Sequence, residues 1–470
     1  MRGRAFLLKR PGLILFLVLL LLAISGCSSH TKTTPQTTNM PSSPARGSSS
    51  AANTASLSED WPTYHRDLSR SGFDPQASIT GPPERLWVSD LLDGDIYAEP
   101  LVVGGKVIVA TEQDSVYSLD ANTGKPMWHT NLGKPVPSQE LLCGNIDPSG
   151  ITSTPAADPG TGRLYVVARI QPNHHELFVI DIRTGAILSH RPVDPPGADP
   201  RVQQQRSALA LSKGRVYIAF GGLFGDCGSY YGWLVGAPMS GDGPLTWYRV
   251  SSHRGAGLWA PSGPAIDADG NIYVTSGNAF SGSSFDFGDS VVRLSPDLTR
   301  LDWFAPRNWQ QLDDEDLDLG SMGPILLNSA LIFQAGKDGT GYLLKAASLG
   351  HVGGEIFSGP IGDGAFGGAA YAPPSVFVPC TDGLFALDIG DGPSFKVRWS
   401  RSGFFAGPPV VAGTTVLTVD RSGSLYGFSA DNGDPLFKMS LGRVTHFTAP
   451  ALSGGRVFVA ADSRVLSFGP

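Results

Sequence analysis

The sequence has few cysteines, four in 470 residues, and they lie at Cys27, Cys143, Cys227 and Cys380. If Cys27 belongs to a leader, as argued below, the other three allow at most one disulfide and one buried thiol in an oxidising compartment. Cys143 and Cys227 are the expected pair, because both lie in long predicted loops. No Cys-x-x-Cys-His motif is present to attach a haem.

Several other signatures of chemistry are missing. The histidines show no His-Glu-x-x-His spacing, and there is no Gly-x-Ser-x-Gly motif and no phosphate-binding glycine loop. These absences count against a metalloprotease, a serine hydrolase and a nucleotide-binding enzyme. The net charge is −7, and no basic cluster follows the first ten residues. A nucleic-acid partner is therefore not expected.

Long apolar runs are also scarce, since only Leu13 to Ile24 is unbroken. This run of 12 residues follows four cationic residues, as in an export signal, and is shorter than the roughly 20 residues that a membrane span needs. The next residues, ISGC, resemble the lipobox of bacterial lipoproteins. Residues 1–26 are therefore predicted to be a lipoprotein signal peptide and Cys27 the lipidated residue, with a permanent membrane helix as the weaker alternative.

Residues 27–58 consist almost wholly of Ser, Thr, Pro, Ala, Asn and Gly after the cysteine, which predicts a disordered tether. The folded domain is then expected at residues 59–470, in the cell envelope, anchored through the lipid on Cys27 and facing the periplasm or the outside.

What the sequence has in abundance is glycine and proline, 59 and 37 residues, which punctuate short β-branched and aromatic runs. The stretch from Glu99 to Gly133 divides into four predicted strands, with a turn at Thr123-Gly124 after Asp120. The same pattern returns from Thr154 and from Gly407, and looser copies lie between them. No stretch after the leader has sustained helical periodicity, so an all-β repeat fold is predicted.

The repeat, with Leu-Asp, two residues, Thr-Gly and a following Trp, resembles the pyrroloquinoline-quinone (PQQ) repeat, in which each copy is one four-stranded propeller blade. The resemblance implies an eight-bladed β-propeller whose incomplete last copy is completed by Arg85 to Gly94. The segment from Trp61 to Phe73 resembles the lead-in that crosses the propeller face. Tryptophans are expected to pack between blades at Trp87, Trp128, Trp247, Trp303 and Trp399.

Some proteins with this repeat are quinoprotein dehydrogenases with PQQ and Ca²⁺ on the propeller axis, and others are scaffolds without a cofactor. Lys337, in the turn AGKDGT, resembles the lysine that contacts the quinone carbonyls in the dehydrogenases. The acidic stretch from Gln310 offers Asp313, Asp316 and Asp318 as metal ligands, with Asp316 or Asp318 as the base. A structural hairpin turn and a solvated acidic loop remain the alternatives.

Other features of the dehydrogenases are not found in the sequence: an adjacent pair of cysteines beneath the cofactor, the Glu and Asn calcium ligands, and the stacking Trp. We therefore expect a non-catalytic binding or assembly scaffold, without a cofactor, whose loop-rich face binds a protein partner or an extracellular ligand. The alternative is a PQQ- and Ca²⁺-dependent alcohol or sugar dehydrogenase. A polysaccharide binder is a third possibility.

Overall fold

The computed structural model describes residues 59–280, 284–390 and 392–470. The predicted signal peptide, Cys27 and the tether lie outside the described residues. The described chain forms eight antiparallel sheets of four main strands, and neighbouring sheets contact one another through their first strands. First strands that meet in this way lie around a common axis, which is the geometry of an eight-bladed propeller. The all-β, eight-bladed prediction is confirmed.

The strands alternate with tight turns, as the glycine-rich hairpins require. From inner to outer strand, blade 1 is Leu101–Val103, Lys106–Ala110, Ser115–Asp120 and Pro126–Asn131; blade 2 is Ala156–Asp158, Arg163–Ile170, His174–Asp181 and Ile187–Pro192; blade 3 is Ala210–Ser212, Arg215–Gly222, Trp233–Pro238 and Thr246–Arg249; blade 4 is Ala265–Ile266, Ile272–Thr275, Val291–Leu294 and Arg300–Ala305.

The second half of the ring repeats this order. Blade 5 is Ile325–Leu326, Leu331–Ala335, Thr340–Lys345 and Phe357–Pro360; blade 6 is Ala370–Ala372, Ser375–Cys380, Gly383–Ile389 and Phe395–Ser402; blade 7 is Val410–Ala412, Thr415–Val419, Ser424–Ser429 and Pro435–Ser440; blade 8 is Ala451–Ser453, Arg456–Ala461, Arg464–Gly469 and Glu84–Val88. Short extra strands join blades 3, 4 and 7 at Gln203–Gln204, His351–Val352 and Phe73–Asp74.

Helices are few in the described chain. One α-helix spans Trp309–Glu315, and 3₁₀ turns span Ser138–Glu140 and Leu319–Ser321. No helix within the described ranges is both long and apolar enough to span a membrane.

The ring closes through its two ends. Strand Glu84–Val88 pairs antiparallel with Arg464–Gly469, so the N-terminal part of the domain supplies the outer strand of blade 8. This matches the predicted role of Arg85 to Gly94, although the strand is shorter and begins one residue earlier. Closure in this way gives blade 8 its fourth strand and covers the edge of Arg464–Gly469.

The lead-in does more than cross the propeller face. Residues 61–74, which we call the axial plug, hydrogen bond through their backbone to the inner edges of six blades. Their partners are Val102, Ala157, Ile266, Leu326, Tyr371 and Val411. Side chains complete the contacts, since Arg70 donates to the carbonyl oxygens of Pro264 and Leu209. The plug therefore fills one end of the axis and ties the blades together.

Four of the five predicted tryptophans pack between blades as expected. The indoles of Trp87, Trp128 and Trp399 each donate a hydrogen bond to a carbonyl in the third-to-fourth-strand turn of the next blade. Trp303 instead stacks on His351, which lies in the connection between the third and fourth strands of blade 5. The prediction is wrong for Trp247, which is 51% exposed.

Candidate functional site

A cavity of about 580 Å³ lies on the propeller axis. Its walls come from loops of blades 3 to 8, including Arg206, Trp259 and Phe447. Two residues further along the chain from Arg206 and Phe447, Ala208 and Ala449 pack against Tyr64 of the axial plug. The plug therefore closes the axis below the cavity, and the cavity opens at the opposite end.

Lys337 lies in the cavity wall at the tip of a hairpin in blade 5. The turn is built by its neighbours: Asp338 accepts a hydrogen bond from the amide of Thr340, and Gly339 has a φ of +71°, which glycine adopts without strain. Asp338 stands where the resemblance has asparagine, and it caps the turn in the same way that an asparagine does. The turn thus directs the lysine toward the axis.

The ammonium of Lys337 binds two of the predicted aspartates. Its Nζ lies 2.5 Å from Oδ2 of Asp318, 3.0 Å from Oδ1 of Asp316 and 3.1 Å from the Asp316 carbonyl oxygen. Burial alone would lower the pKa of Lys337, but these two carboxylates raise it overall. The lysine is therefore a fixed positive charge at physiological pH.

Asp318 is the buried member of this group, with a side chain that is 6% exposed, whereas that of Asp316 is 66% exposed. Its Oδ1 accepts the amide N–H of Asn278 at 2.6 Å. Burial raises the pKa of Asp318, and the Lys337 ammonium opposes that shift. Asp318 is thus a desolvated carboxylate held ionised by one cation, which suits a general base.

Two residues that the sequence analysis did not identify complete this side of the cavity. Trp259 faces the ammonium, with Lys337 Nζ 5.9 Å from the ring centroid, and Asn278 lines the wall beside Asp318. They meet at Gly277, where an added Cβ would lie 2.1 Å from Asp318 Oδ1 and 3.0 Å from the Trp259 indole nitrogen. Only glycine allows this close approach.

A positional signal links several of these residues. In each case the loop after the second strand of a blade reaches the cavity: Asn278 follows Ile272–Thr275, Lys337 follows Leu331–Ala335 and Asp420 follows Thr415–Val419. Aligning the copies on their second strands therefore finds Asn278 in the sequence. Trp259 lies between blades, where the copies are too irregular for such an alignment.

The predicted metal site at Asp313, Asp316 and Asp318 does not form. The described part of the chain contains no group of three or more His, Cys, Asp or Glu side chains that could hold a metal ion. Asp313 turns away to accept the amide N–H of Ala279 at 2.6 Å, and the other two aspartates bind Lys337. The physical reason is that Asp313 lies within the α-helix at Trp309–Glu315, whereas the chain leaves the helix at Asp316 with a left-handed φ of 56°.

Asp313 instead pairs with Asp289 behind the wall. Asp289 accepts the amide N–H of Leu319 at 2.7 Å, next to Asp318. Burial raises the pKa of Asp313 to about 6 and that of Asp289 well above its ordinary value. Each keeps one buried oxygen without a hydrogen-bond partner in the described chain, and each carboxyl influences the pKa of the other. The pair fixes the two loops that carry Asn278 and Asp318.

The opposite side of the cavity is cationic and aromatic. The guanidinium of Arg206 stacks 4.9 Å from the Phe447 ring, and its Nε is buried without a hydrogen bond in the described part of the chain. Burial lowers the pKa of Arg206 to about 10, so it stays charged. Burial, together with Arg206 and Arg421, lowers the pKa of His446 to about 3. This side therefore offers positive charge and flat apolar surface.

The structure joins Cys143 to Cys227 in a disulfide and leaves Cys380 buried and free. The disulfide connects two loops that line the cavity, one through Asn145 and the other through Asp226. Asp226 in turn accepts a hydrogen bond from the Tyr230 hydroxyl at 2.5 Å. The bond thus fixes one rim of the cavity, although the two cysteines are 84 residues apart rather than adjacent.

Comparison with known proteins gives both a family and named relatives. The family model described as "Outer membrane protein assembly factor BamB" matches residues 79–283 and 384–468. A polyvinylalcohol dehydrogenase from Sphingopyxis sp. (strain 113P3) is 22% identical over 78% of this chain and 66% of its own length. A 1-butanol dehydrogenase (cytochrome c) from Thauera butanivorans is 23% identical over 56% of this chain and 42% of its own length.

The chain thus spans less than two thirds of these curated relatives. Among solved structures, a quinohemoprotein alcohol dehydrogenase from Comamonas testosteroni has the same fold, with a TM-score of 0.69, 17% identity, and coverage of 88% of this chain and 81% of that one. These findings overturn the expectation of a non-catalytic scaffold. That expectation depended on residues not found in the sequence, and the structure places a tryptophan and an asparagine, Trp259 and Asn278, in the cavity wall with Lys337.

Proposed function

The chain belongs to the PQQ-like repeat family described as outer membrane protein assembly factor BamB, and we propose that it is a quinoprotein dehydrogenase that oxidises an alcohol with PQQ bound in the axial cavity. The observation that carries the proposal is the meeting of Lys337, Asp318, Asn278 and Trp259 at one wall. The names of the two curated relatives, both alcohol-oxidising dehydrogenases, support the substrate class.

The cavity fits PQQ, which is a flat tricyclic quinone with three carboxylates. Its volume of about 580 Å³ lies within the usual range for small-molecule sites. Trp259 offers a ring face, and three cationic side chains line the walls, those of Arg206, Lys337 and Arg421. The buried Nε of Arg206, which has no hydrogen-bond acceptor in the described chain, is a ready partner for a carboxylate.

A calcium ion fits less well. Calcium takes six to eight oxygen ligands, several of them from carboxylates. No glutamate is among the described residues that line the cavity, and Asp318 already accepts one hydrogen bond on Oδ1 and binds Lys337 through Oδ2. We therefore assign no step of the reaction to a bound metal.

In the proposed reaction, an alcohol loses a proton from its hydroxyl group and two electrons with a second proton from its carbon, and it leaves as an aldehyde or ketone. PQQ, when bound, would accept the two electrons together with the proton from the carbon. Asp318 takes the hydroxyl proton, because it is the buried carboxylate of the pair and is held ionised by Lys337. Asp316 is the poorer base, since water reaches two thirds of its side chain.

Lys337 serves a second purpose in this scheme. With PQQ bound, its ammonium would donate a hydrogen bond to a quinone carbonyl and would stabilise negative charge on it. Asn278 lines the same wall, and its side-chain amide would be available to hydrogen bond the bound molecules. Trp259 and the Asp289–Asp313 pair keep this wall rigid, which is what precise positioning requires.

We also place the domain outside the cytoplasm. The disulfide between Cys143 and Cys227 supports an oxidising compartment. Anchoring through a lipid on Cys27, followed by a flexible tether, remains part of this proposal, and so does a partner at the loop-rich face.

Dye-linked oxidation of primary and secondary alcohols by the PQQ-loaded protein tests the proposal. We expect Asp318→Asn to lower kcat by about 10²–10⁴-fold, the usual contribution of a general base, with little change in PQQ binding. Asp314→Asn is the matched control, because Asp314 is an exposed residue of the neighbouring helix. Activity that survives in Asp318→Asn, or is lost equally in the control, would remove Asp318 from the mechanism.

A further inference from the structure

We propose that this cavity binds its quinone without a divalent metal ion, and that the ammonium of Lys337 is the cation that faces the quinone carbonyls. The inference rests on the proposed function and deepens it, because it says which cation the site uses. Calcium fits poorly because the carboxylate oxygens of the cavity wall already have partners within the protein.

Every carboxylate that lines the cavity is engaged within the protein. Asp226 accepts a hydrogen bond from the Tyr230 hydroxyl, at 2.5 Å. Asp420 accepts one from the amide of Ser424 at 2.8 Å, one from the Ser422 hydroxyl at 2.7 Å and one from the Tyr426 hydroxyl at 3.0 Å. These two side chains hold loops of the wall in place and are not free to gather around an ion.

The remaining two, Asp316 and Asp318, surround the ammonium of Lys337. An ammonium has three N–H donors, and here three oxygen atoms lie within 3.1 Å of Nζ, two from Asp316 and one from Asp318. The lysine therefore occupies the part of the cavity wall where Asp316 and Asp318 meet. A divalent ion at Asp318 would lie directly beside this ammonium and be repelled by it.

The same geometry allows the lysine to turn to a quinone. Asp316 is 66% exposed and sits at the end of the α-helix with a left-handed φ of 56°. Water can therefore solvate its carboxylate when Lys337 leaves it. Asp318, buried and fixed by the amide of Asn278, keeps the ammonium in place. One of the three donors then becomes available to a carbonyl oxygen in the cavity.

A neutral side chain, that of Gln204, also forms part of the cavity wall. It reaches the Thr152 hydroxyl through its Nε2 at 3.4 Å. An amide is neutral and brings one oxygen, whereas a glutamate brings two oxygens and a charge. Among the described residues that line the cavity, the position of Gln204 thus offers a neutral amide, and no glutamate reaches the wall.

The test measures PQQ binding to the purified protein by quenching of tryptophan fluorescence, in excess EGTA and in excess CaCl₂ or EuCl₃. Metal content of the loaded protein is measured in parallel. We expect the same Kd within about twofold in all three solutions and no stoichiometric metal. A charge-assisted hydrogen bond contributes about 1.5–3 kcal/mol, so Lys337→Gln should weaken binding by about ten- to a hundredfold.

Lys345→Gln is the matched control, because Lys345 is an exposed lysine of the same blade, and its Kd should equal that of the wild type. Binding that requires calcium or europium, with one metal ion per protein, overturns the metal-free site and leaves the dehydrogenase proposal intact. Absence of PQQ binding in all three solutions overturns both. The metal comparison uses the wild-type protein, so it stands even if Lys337→Gln does not fold.

Discussion

The most heavily buried acid of the axial plug region is Glu99. Its Oε1 accepts hydrogen bonds from the Trp61 indole and, at 3.0 Å, from the amide of His65. The other charged and titratable neighbours are Arg70, Tyr64 and the His65 ring, whose Nε2 lies 4.0 Å from Oε2. Burial raises the pKa of Glu99 to about 8, while these hydrogen bonds and Arg70 oppose the shift.

This raised pKa makes stability depend on pH. Between the ordinary carboxyl pKa near 4.5 and about 8, the folded protein keeps a proton that the unfolded chain has released. The folded state binds more protons in this range, so its free energy of unfolding falls as pH rises. We expect Glu99→Gln, which stays neutral, to flatten that decline, measured by urea unfolding from pH 5 to 8. Glu84→Gln, at an exposed position, is the control.

A decline that is just as steep in Glu99→Gln as in the wild type would show that Glu99 is ionised throughout. Other buried acids contribute to the same trend. Burial raises the pKa of Glu112 to about 7 and of Asp114 to about 9, so the slope should fall in the variant without vanishing.

At the residue scale, the sequence predicts part of the site. Lys337 is found because a hairpin turn is a local pattern, and Asp318 because it lies in a dense acidic stretch. Asn278 and Trp259 were not predicted, because no local sequence pattern distinguishes them. They can be recognised as site residues only when the fold places them beside Asp318. The three aspartates are close in sequence but do not form one group, because Asp313 accepts the amide of Ala279 whereas Asp316 and Asp318 bind Lys337.

At the scale of the repeated element, the signature has a clear physical basis. Asp120 and Asp181 each accept hydrogen bonds from the backbone and hydroxyl of the threonine three residues later, which fixes the turn. The glycine that follows has a positive φ, and an added Cβ would collide with a tryptophan of the preceding blade. Trp128 on Gly185 is one such pair. The repeat therefore encodes blade-to-blade contact as well as the hairpin.

This contact predicts how single tryptophans affect stability. Trp399 is 7% exposed, packs against Gly433 and donates to the carbonyl of Ala430 at 3.1 Å. Trp399→Ala should lower the free energy of unfolding by about 3–5 kcal/mol. Trp247→Ala, at a residue that is 51% exposed, should change it by less than about 0.5 kcal/mol. Equal losses in chemical denaturation would contradict the interblade assignment.

Trp247 shows where repeat-based prediction stops, and Trp303 contacts the next blade by stacking on His351 rather than by a hydrogen bond. Both occupy outer strands, as the other three tryptophans do. The carbonyl acceptors lie in the turn between the third and fourth strands of the following blade, and neither Trp247 nor Trp303 donates to one in the described chain. The contacts of a tryptophan on an outer strand therefore depend on the sequence of the following blade as well as on the sequence of its own blade.

For the whole molecule, the ring depends on closure. The outer strand of blade 8 comes from Glu84–Val88, and the plug that binds the inner edges precedes it. A protein that begins at residue 90 lacks both and exposes Arg464–Gly469 as an edge. We expect it to aggregate or melt at a much lower temperature, measured by gel filtration and thermal unfolding. A protein that begins at residue 58 is the control and should match the full chain.

A monomeric protein with an unchanged melting temperature after removal of residues 1–89 would show that the ring does not need this strand. The prediction of eight blades and of closure came from three well-preserved copies, which fix the period. The route of residues 61–74 could not be predicted in the same way. Those residues belong to no copy, and their partners are spread over inner edges from Val102 to Val411.

The central claim is that the axial cavity is a site of alcohol oxidation by a bound quinone. The most direct measurement is an anaerobic single turnover, in which an alcohol is added to the PQQ-loaded protein and the absorbance of the bound quinone is followed. The account predicts reduction of the quinone with one carbonyl product per protein, slowed by about 10²–10⁴-fold in Asp318→Asn. A quinone that binds in the cavity but stays oxidised with every alcohol tried would contradict it.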